Sequence, residues 1–274
     1  MVERSTVRIR RLSNDRIEEA RFGRWLNNAK VRLVEMECTI GEQMRARVVG
    51  LHVLAIQDTS ELNYQAHAGR TRGLGTVGNG RDAGLFVHPV LAVEAESGAC
   101  LGLVGAQVYA RHETAAKHRR ALPIESKESM RWLEGAQTAK HYLDTARHVT
   151  VVADRESDIY EEWERLPEAG FDLLTRACRD RALAGGGYLY AWSDALAVAE
   201  RFTLDLPERP LNASAAQAAA SGPIPPGPRA AERDGMLKAV AVPLAPEPDS
   251  TAAHDRPVLI AVAWPDPRRT DQLL

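Results

Sequence analysis

Cysteine is scarce in this chain, with only Cys38, Cys100 and Cys178 among 274 residues, all far apart. That spacing excludes a disulfide framework and a cysteine-based zinc site, and it suits a reducing cytoplasm. An excess of charge of one sign is missing too. Lys and Arg total 35 against 37 Asp and Glu, a formal net charge of −2, so no global basic field marks a nucleic-acid binder. Any DNA contact must come from local patches. No apolar run approaches the roughly 18 residues of a membrane span, and the first residues do not read as a signal peptide. Neither secretion nor membrane insertion is expected, and no solenoid-type repeat appears. What the chain does have is 45% hydrophobic content over 274 residues, enough for one sizeable core and an appended subdomain.

The most informative stretch runs from His148 to Pro167, HVTVVADRESDIYEEWERLP. Val149 to Val152 read as a buried central strand that stops at Asp154, and helix-forming sequence with Glu156, Asp158, Ile159, Tyr160 and Trp163 follows at once. An acid at the C-terminal end of a strand, beside a helix start, is where open α/β sheets place working groups. The alternative is a helix cap, with Glu156 and Asp158 complementing the dipole. A second strand, Leu51 to Gln57, ends the same way at Asp58, which lies 96 positions (154 − 58) before Asp154. On neighbouring strands the two aspartates would sit side by side. Like charges held that close call for a cation, and paired carboxylates are the usual ligands of Mg²⁺ or Mn²⁺ in phosphoryl-transfer sites.

Four segments then occur in a telling order: DTSELNY (58–64), GLGTVGNG running on to VHPVLAV (73–93), KESMRW (127–132) and DRESDIY (154–160). Together they resemble the DDE transposases of bacterial insertion sequences, specifically the insertion-sequence-four type with the YREK signature. The resemblance spans about residues 20 to 245. It implies an RNase H-like core, Mg²⁺ or Mn²⁺ held by Asp58 and Asp154 in catalysis, transposon-end DNA as partner, and a homodimer in the intact family. It also implies that Arg176, at the end of a strand over Phe171–Thr175, contacts DNA near the scissile end. The family's third acid is a helical glutamate in the pattern Tyr-x₂-Arg-x₃-Glu-x₆-Lys. The last tyrosine here is Tyr190, and Pro265 and Pro267 argue against a helix near the end, so that pattern finds no match. The expectation is a fragment shortened at both ends, able to hold a cation but not to complete catalysis.

The rest of the chain fits around this frame. Gly73-Leu74-Gly75-Thr76-Val77-Gly78 formally matches GxGxxG, but glycines rather than a helix follow, so a flexible connection explains it better than a dinucleotide site. Strands are expected over Leu85–Glu94 and Leu101–Tyr109, joined by a Ser-Gly hairpin turn. His88, alone on its strand, reads as structural. Residues 110–131 form a polar connection with Arg111, Lys117, Arg119, Arg120, Lys127 and Arg131, either a phosphate-binding stretch or a solvated loop. A helix from Ser126 to Ala146 leads back to the central strand, which gives a β-β-β-α-β order.

The fold class expected is α/β: an RNase H-like core of mixed β-sheet with flanking helices, plus a partial β-rich insertion. Residues 1–45 read as the remnant of an N-terminal helical DNA-binding domain and 46–183 as the core. Residues 184–274 read as the insertion, with an alanine- and proline-rich stretch, 207–234, expected to be disordered. Alternatives that stay open are a non-catalytic DNA-binding remnant and a small-molecule-binding α/β domain in which both aspartates are caps.

Overall fold

Val53, Ala55 and Gln57 are buried at alternate positions, as are Val149 and Val151, and that period of two is what a strand produces. In a computed structural model of the chain these runs lie at the centre of one sheet. The structure describes residues 8–67, 69, 72–78, 80–111, 123–197, 200–206, 231–242 and 258–265. The chain divides into two compact units, Met1–Arg176 and Ala177–Leu274.

The first unit begins with helices α1 (Ile9–Leu12), α2 (Arg16–Leu26) and α3 (Leu33–Arg47). Then come β1 (His52–Gln57), β2 (Ser60–Asn63), β3 (Gly75–Val77), β4 (Asp82–Glu94) and β5 (Cys100–Tyr109). Helix α4 (Met130–Tyr142) returns the chain to β6 (His148–Ala153), and α5 (Tyr160–Arg165) and β7 (Phe171–Thr175) complete the unit. The sheet runs β5-β4-β1-β6-β7, with β2 and β3 also paired to β4. β4 is antiparallel to β1 and β5, whereas β1, β6 and β7 are parallel neighbours. This mixed sheet with flanking helices is compatible with the RNase H-like core expected from the β-β-β-α-β order.

Helix α4 covers one face because Trp132, Leu133, Ala136 and Ala139 recur at helical spacing, and all are buried. Leu133, Ala136 and Ala139 join Met44, Val48, Val53, Ala55, Val90, Val104, Val149 and Val151 in a continuous apolar core, helped by Leu143 just past the helix, while Trp132 packs in a separate cluster with Ile124 and Ile159. Fully burying each large side chain contributes about 1.5–3 kcal/mol. Two glycines let backbones and rings meet: a Cβ at Gly41 would lie 2.5 Å from the Tyr142 ring, and one at Gly135 would lie 2.2 Å from Gln57 Oε1.

Several elements differ from expectation, each for a local reason. The glycine-rich stretch is not a loose connection. Gly75–Val77 pairs with β4, and Gly84 lies opposite both Asn63 and Gly75. The helix expected over Ser126–Ala146 is shorter, because Pro123 leads into a separate turn at Ile124–Ser126 and Ser129 makes no side-chain cap. The helix expected from residue 156 breaks in two, a turn at Arg155–Ser157 and then α5. Between them Ile159 is extended and buries its side chain with Ile124 and Trp132.

The second unit holds α6 (Leu189–Ala195), β8 (Glu200–Leu206), β9 (Ala231–Val242) and β10 (Val258–Pro265), the strands forming an antiparallel sheet β10-β9-β8. Of the stretch expected to be disordered, 207–230 lies outside the described residues. Residues 231–234 are ordered as the start of β9, where Ala231 to Asp234 pair with Leu206 to Thr203 and the backbone gains a ladder of hydrogen bonds. Among the described residues no helix is long and apolar enough to cross a membrane.

The glycine contacts yield a paired prediction. A Cβ at Gly84 would lie 2.3 Å from the Leu62 carbonyl oxygen, so Gly84→Ala should destabilise the chain by about 1–3 kcal/mol. Gly23, inside α2 with nothing within 4 Å, should respond oppositely, Gly23→Ala stabilising by about 0.5–1 kcal/mol. Urea midpoints of the two variants should move in opposite directions.

Candidate functional site

Parallel register brings the sequence candidates together. Along β1 and β6 the partners run from His52↔His148 to Ile56↔Val152, a constant offset of 96 (148 − 52). The paired run ends there; carried two residues further, the same offset would bring Asp58 level with Asp154, each the first residue past its strand. β6 and β7 pair from Val149↔Phe171 to Ala153↔Thr175, an offset of 22 (171 − 149), and one step on it sets Arg176 beside Asp154. Neighbouring strands are about 4.8 Å apart. Asp58, Asp154 and Arg176 therefore form a row across three adjacent strand ends, and all three are exposed.

Each aspartate is held locally by a backbone amide. The Thr59 N–H donates to Asp58 Oδ1 at 2.7 Å, and the Glu156 N–H donates to Asp154 Oδ1 at 2.8 Å. The second contact caps the turn at Arg155–Ser157, so the capping role foreseen for Asp154 is present. Thr175 Oγ1 donates to the Asp154 carbonyl at 2.9 Å, tying β7 to the same corner.

Beneath the row lies a polar chain that the sequence motifs did not announce. Arg131 Nε donates to Thr59 Oγ1 at 3.0 Å, and its Nη2 donates to Glu156 Oε2 at 2.7 Å. Thr59 Oγ1 stands 2.9 Å from His88 Nδ1, and His88 Nε2 stands 3.1 Å from Gln57 Oε1. A guanidinium only donates, so the Thr59 hydroxyl accepts from Arg131, and the Gln57 oxygen accepts the His88 Nε2–H. With the imidazole neutral, Nδ1 is an acceptor and takes the Thr59 proton. Burial first, and the Arg131 charge second, lower the His88 pKa from 6.5 to about 4. His88 is fully buried edge-on to Trp132 and is structural, as the sequence reading had it. The signal available for this chain was Gln57 itself, a polar residue ending an apolar strand.

The expected DNA-binding residues separate. Arg176 is exposed in the row, and Lys127 is partly exposed on the turn before α4. Arg119 and Arg120, with Lys117, lie outside the described residues. Arg131 differs from its expected role at a solvated phosphate-binding surface: its side chain is only 10% exposed and its donors are engaged by Thr59, Glu156 and the Glu128 carbonyl. Arg111 of the same stretch pairs with Glu128 and lies over the Phe86 ring at 4.3 Å.

Two carboxylates at adjacent strand ends are a hard oxygen donor set, which fits a Mg²⁺- or Mn²⁺-type ion whose remaining positions are water. Among the described residues no group of three or more His, Cys, Asp or Glu is placed to hold a metal ion.

Close by, Glu162 is fully buried in α5, accepting from Ser157 Oγ at 2.6 Å. Desolvation raises its pKa from 4.5 to about 8, against the opposing hydrogen bond. At Glu162 the folded chain then binds more protons than the unfolded chain between these values, so this group's contribution falls as pH rises from 4.5 to about 8, while the lowered His88 value works in the opposite direction between about 4 and 6.5. Glu162→Gln should flatten that slope. Denaturant midpoints at pH 5 and pH 8, native against variant, measure it; a native slope unchanged in the variant would contradict the assignment.

No family model matches the chain. Among solved structures, the piggyBac transposase synaptic complex with hairpin DNA is similar over 57% of this chain and 28% of that chain, with 9% identity and a TM-score of 0.29. The aligned part thus spans little more than a quarter of that transposase, and at this level of likeness the fold rests on the sheet topology above.

Proposed function

We propose that this chain belongs with the DDE transposases of the insertion-sequence-four type. In this reading its Asp58–Asp154 pair takes a divalent cation, Mg²⁺ or Mn²⁺, and Arg176 takes a phosphate of transposon-end DNA. The observation that carries the reading is the register: offsets of 96 and 22 align all three residues at one sheet edge. When bound, the cation would supply Lewis-acid stabilisation of charge on a phosphoryl oxygen. The chain's own residues do the rest. Asp58 and Asp154 present oxygens from neighbouring strands, and the Arg176 guanidinium offers parallel donors that match a phosphate. Strand cleavage and transfer need two ions clamped about 3.5–4 Å apart. With two carboxylates in the row, we read these 274 residues as binding cation and DNA without cutting it.

One observation favours a second reading. Asp154 caps the turn that follows it, and Asp58 likewise accepts from its own loop. On that reading both aspartates only shape loops and the domain serves a small molecule or another protein.

Calorimetric titration with Mn²⁺ separates the two. Asp154→Asn keeps an oxygen for the cap while removing the charge, and it should abolish Mn²⁺ binding if the pair is a cation site. Equal binding by native and variant would support loop shaping alone. DNA duplex binding should weaken steeply with salt, and Arg176→Ala should lower the salt slope by about 1. With Mn²⁺ and a transposon-end duplex the native chain should cut no strand. Cleavage that Asp154→Asn lacks would show that a further acid completes the site.

A further inference from the structure

The residues that hold the two aspartates are the same two that Arg131 grips. Thr59 gives its backbone N–H to Asp58 and takes Arg131 Nε on its hydroxyl. Glu156 gives its backbone N–H to Asp154 and takes Arg131 Nη2 on its carboxylate. One guanidinium therefore reaches both carboxylates, each through a single intervening residue. It is fixed in turn: Nη1 donates to the Glu128 carbonyl at 3.0 Å, the charge pairs with Glu128 at 3.5 Å, and Gln107 Nε2 donates to the Arg131 carbonyl at 3.0 Å. Behind Thr59, His88 and Gln57 hold the hydroxyl in one orientation.

We infer that Arg131 is a positioning residue, a clasp by which the first turn of α4 sets the spacing and orientation of Asp58 and Asp154. The inference rests on the proposed cation site for its function, but the clasp itself is a statement about two loops. A planar fork with donors at separate nitrogens can bridge Thr59 and Glu156 together; a lysine ammonium has one nitrogen and cannot span them in the same geometry. Charge alone predicts the opposite behaviour. A cation beside two carboxylates repels a metal ion, so removing it would strengthen Mn²⁺ binding if Arg131 acted only through its field.

The test uses the full chain as native protein and as Arg131→Lys, Arg131→Ala, Thr59→Val, Thr59→Ser and Asp154→Asn. Calorimetry reads Mn²⁺ affinity, and amide hydrogen exchange reads the N–H groups of Thr59 and Glu156. Outer-shell partners of metal ligands typically contribute 10–100-fold in affinity, so both Arg131 variants should bind Mn²⁺ about tenfold more weakly. Thr59→Val should weaken it similarly, and Thr59→Ser, which keeps the hydroxyl, should restore native binding. In Arg131→Lys both amides should exchange about tenfold faster than any change in global stability accounts for. Native or tighter Mn²⁺ binding by Arg131→Ala, together with reduced DNA affinity, would make Arg131 a phosphate contact and overturn the inference. Unchanged exchange at Thr59 and Glu156 in Arg131→Lys would overturn it as well. If the native chain binds Mn²⁺ no better than Asp154→Asn, the cation reading fails by itself, and the exchange rates still decide whether the clasp exists.

Discussion

The site depends on the parallel pairing of β1 with β6. These strands are far apart in the chain, and nothing local fixes how one slides along the other. Burial fixes it. Val53, Ala55 and Gln57 face α4 alongside Val149 and Val151, while His52, Leu54, Thr150 and Val152 are only partly covered. A slip of one residue would reverse that pattern along the whole of β6, because side chains alternate faces. It would bring His148 and Thr150 under the helix and expose two valines, and it would move Asp154 out of line with Asp58. The register that buries the valines is therefore the one that aligns the acids. Core packing and site geometry are a single constraint.

Helix α4 enforces that constraint from above. It approaches β1 closely enough that residue 135 has room only for hydrogen beside Gln57. Its Trp132 ring meets His88 at 4.6 Å, and its first turn carries Arg131 to the strand ends. A buried line of Gln, His, Thr and Arg would be a liability if any member lost its partner, since an orphaned buried polar group costs about 1–3 kcal/mol. The line leaves one such group, Gln57 Nε2, without a partner among the described residues, while the Thr59 hydroxyl and the His88 ring nitrogens are engaged. A core of aliphatic side chains would bury α4 equally well but would say nothing about where Thr59 and Glu156 must stand.

Much of this architecture was legible in the sequence, for identifiable reasons. Aliphatic runs ending in acids located β1 and β6, and Phe171–Thr175 was read with the bounds it has. The spacing of 96 between the aspartates equals the strand offset. What escaped were interactions that no period encodes. Gly75–Val77 carries too little side chain to show alternation, so a paired strand read as a loose loop. The helix after Asp154 looked continuous because Glu156, Asp158, Ile159, Tyr160 and Trp163 read as helix-forming sequence, yet Ile159 is extended and packs with Ile124 and Trp132. Arg131 read as a phosphate ligand because basic residues surround it in sequence. Its real neighbours, Thr59 and Glu156, lie 72 and 25 positions away. The row itself was readable as chemistry, but its supports were not.

The two roles open to Asp154, cap and ligand, are not rivals at the level of atoms. A carboxylate has two oxygens and about four lone-pair directions. The Glu156 N–H occupies one direction on Oδ1 of Asp154, and the Thr59 N–H occupies one on Oδ1 of Asp58. An amide bond of this kind restricts how the carboxylate turns without neutralising it. Ligands that are held before the ion arrives lose less freedom on binding it, and a capped aspartate is such a ligand. On this argument the caps are part of the proposed site. The turn at Arg155–Ser157 fixes the angle of Asp154, the Thr59 amide fixes that of Asp58, and Arg131 makes the two angles depend on each other.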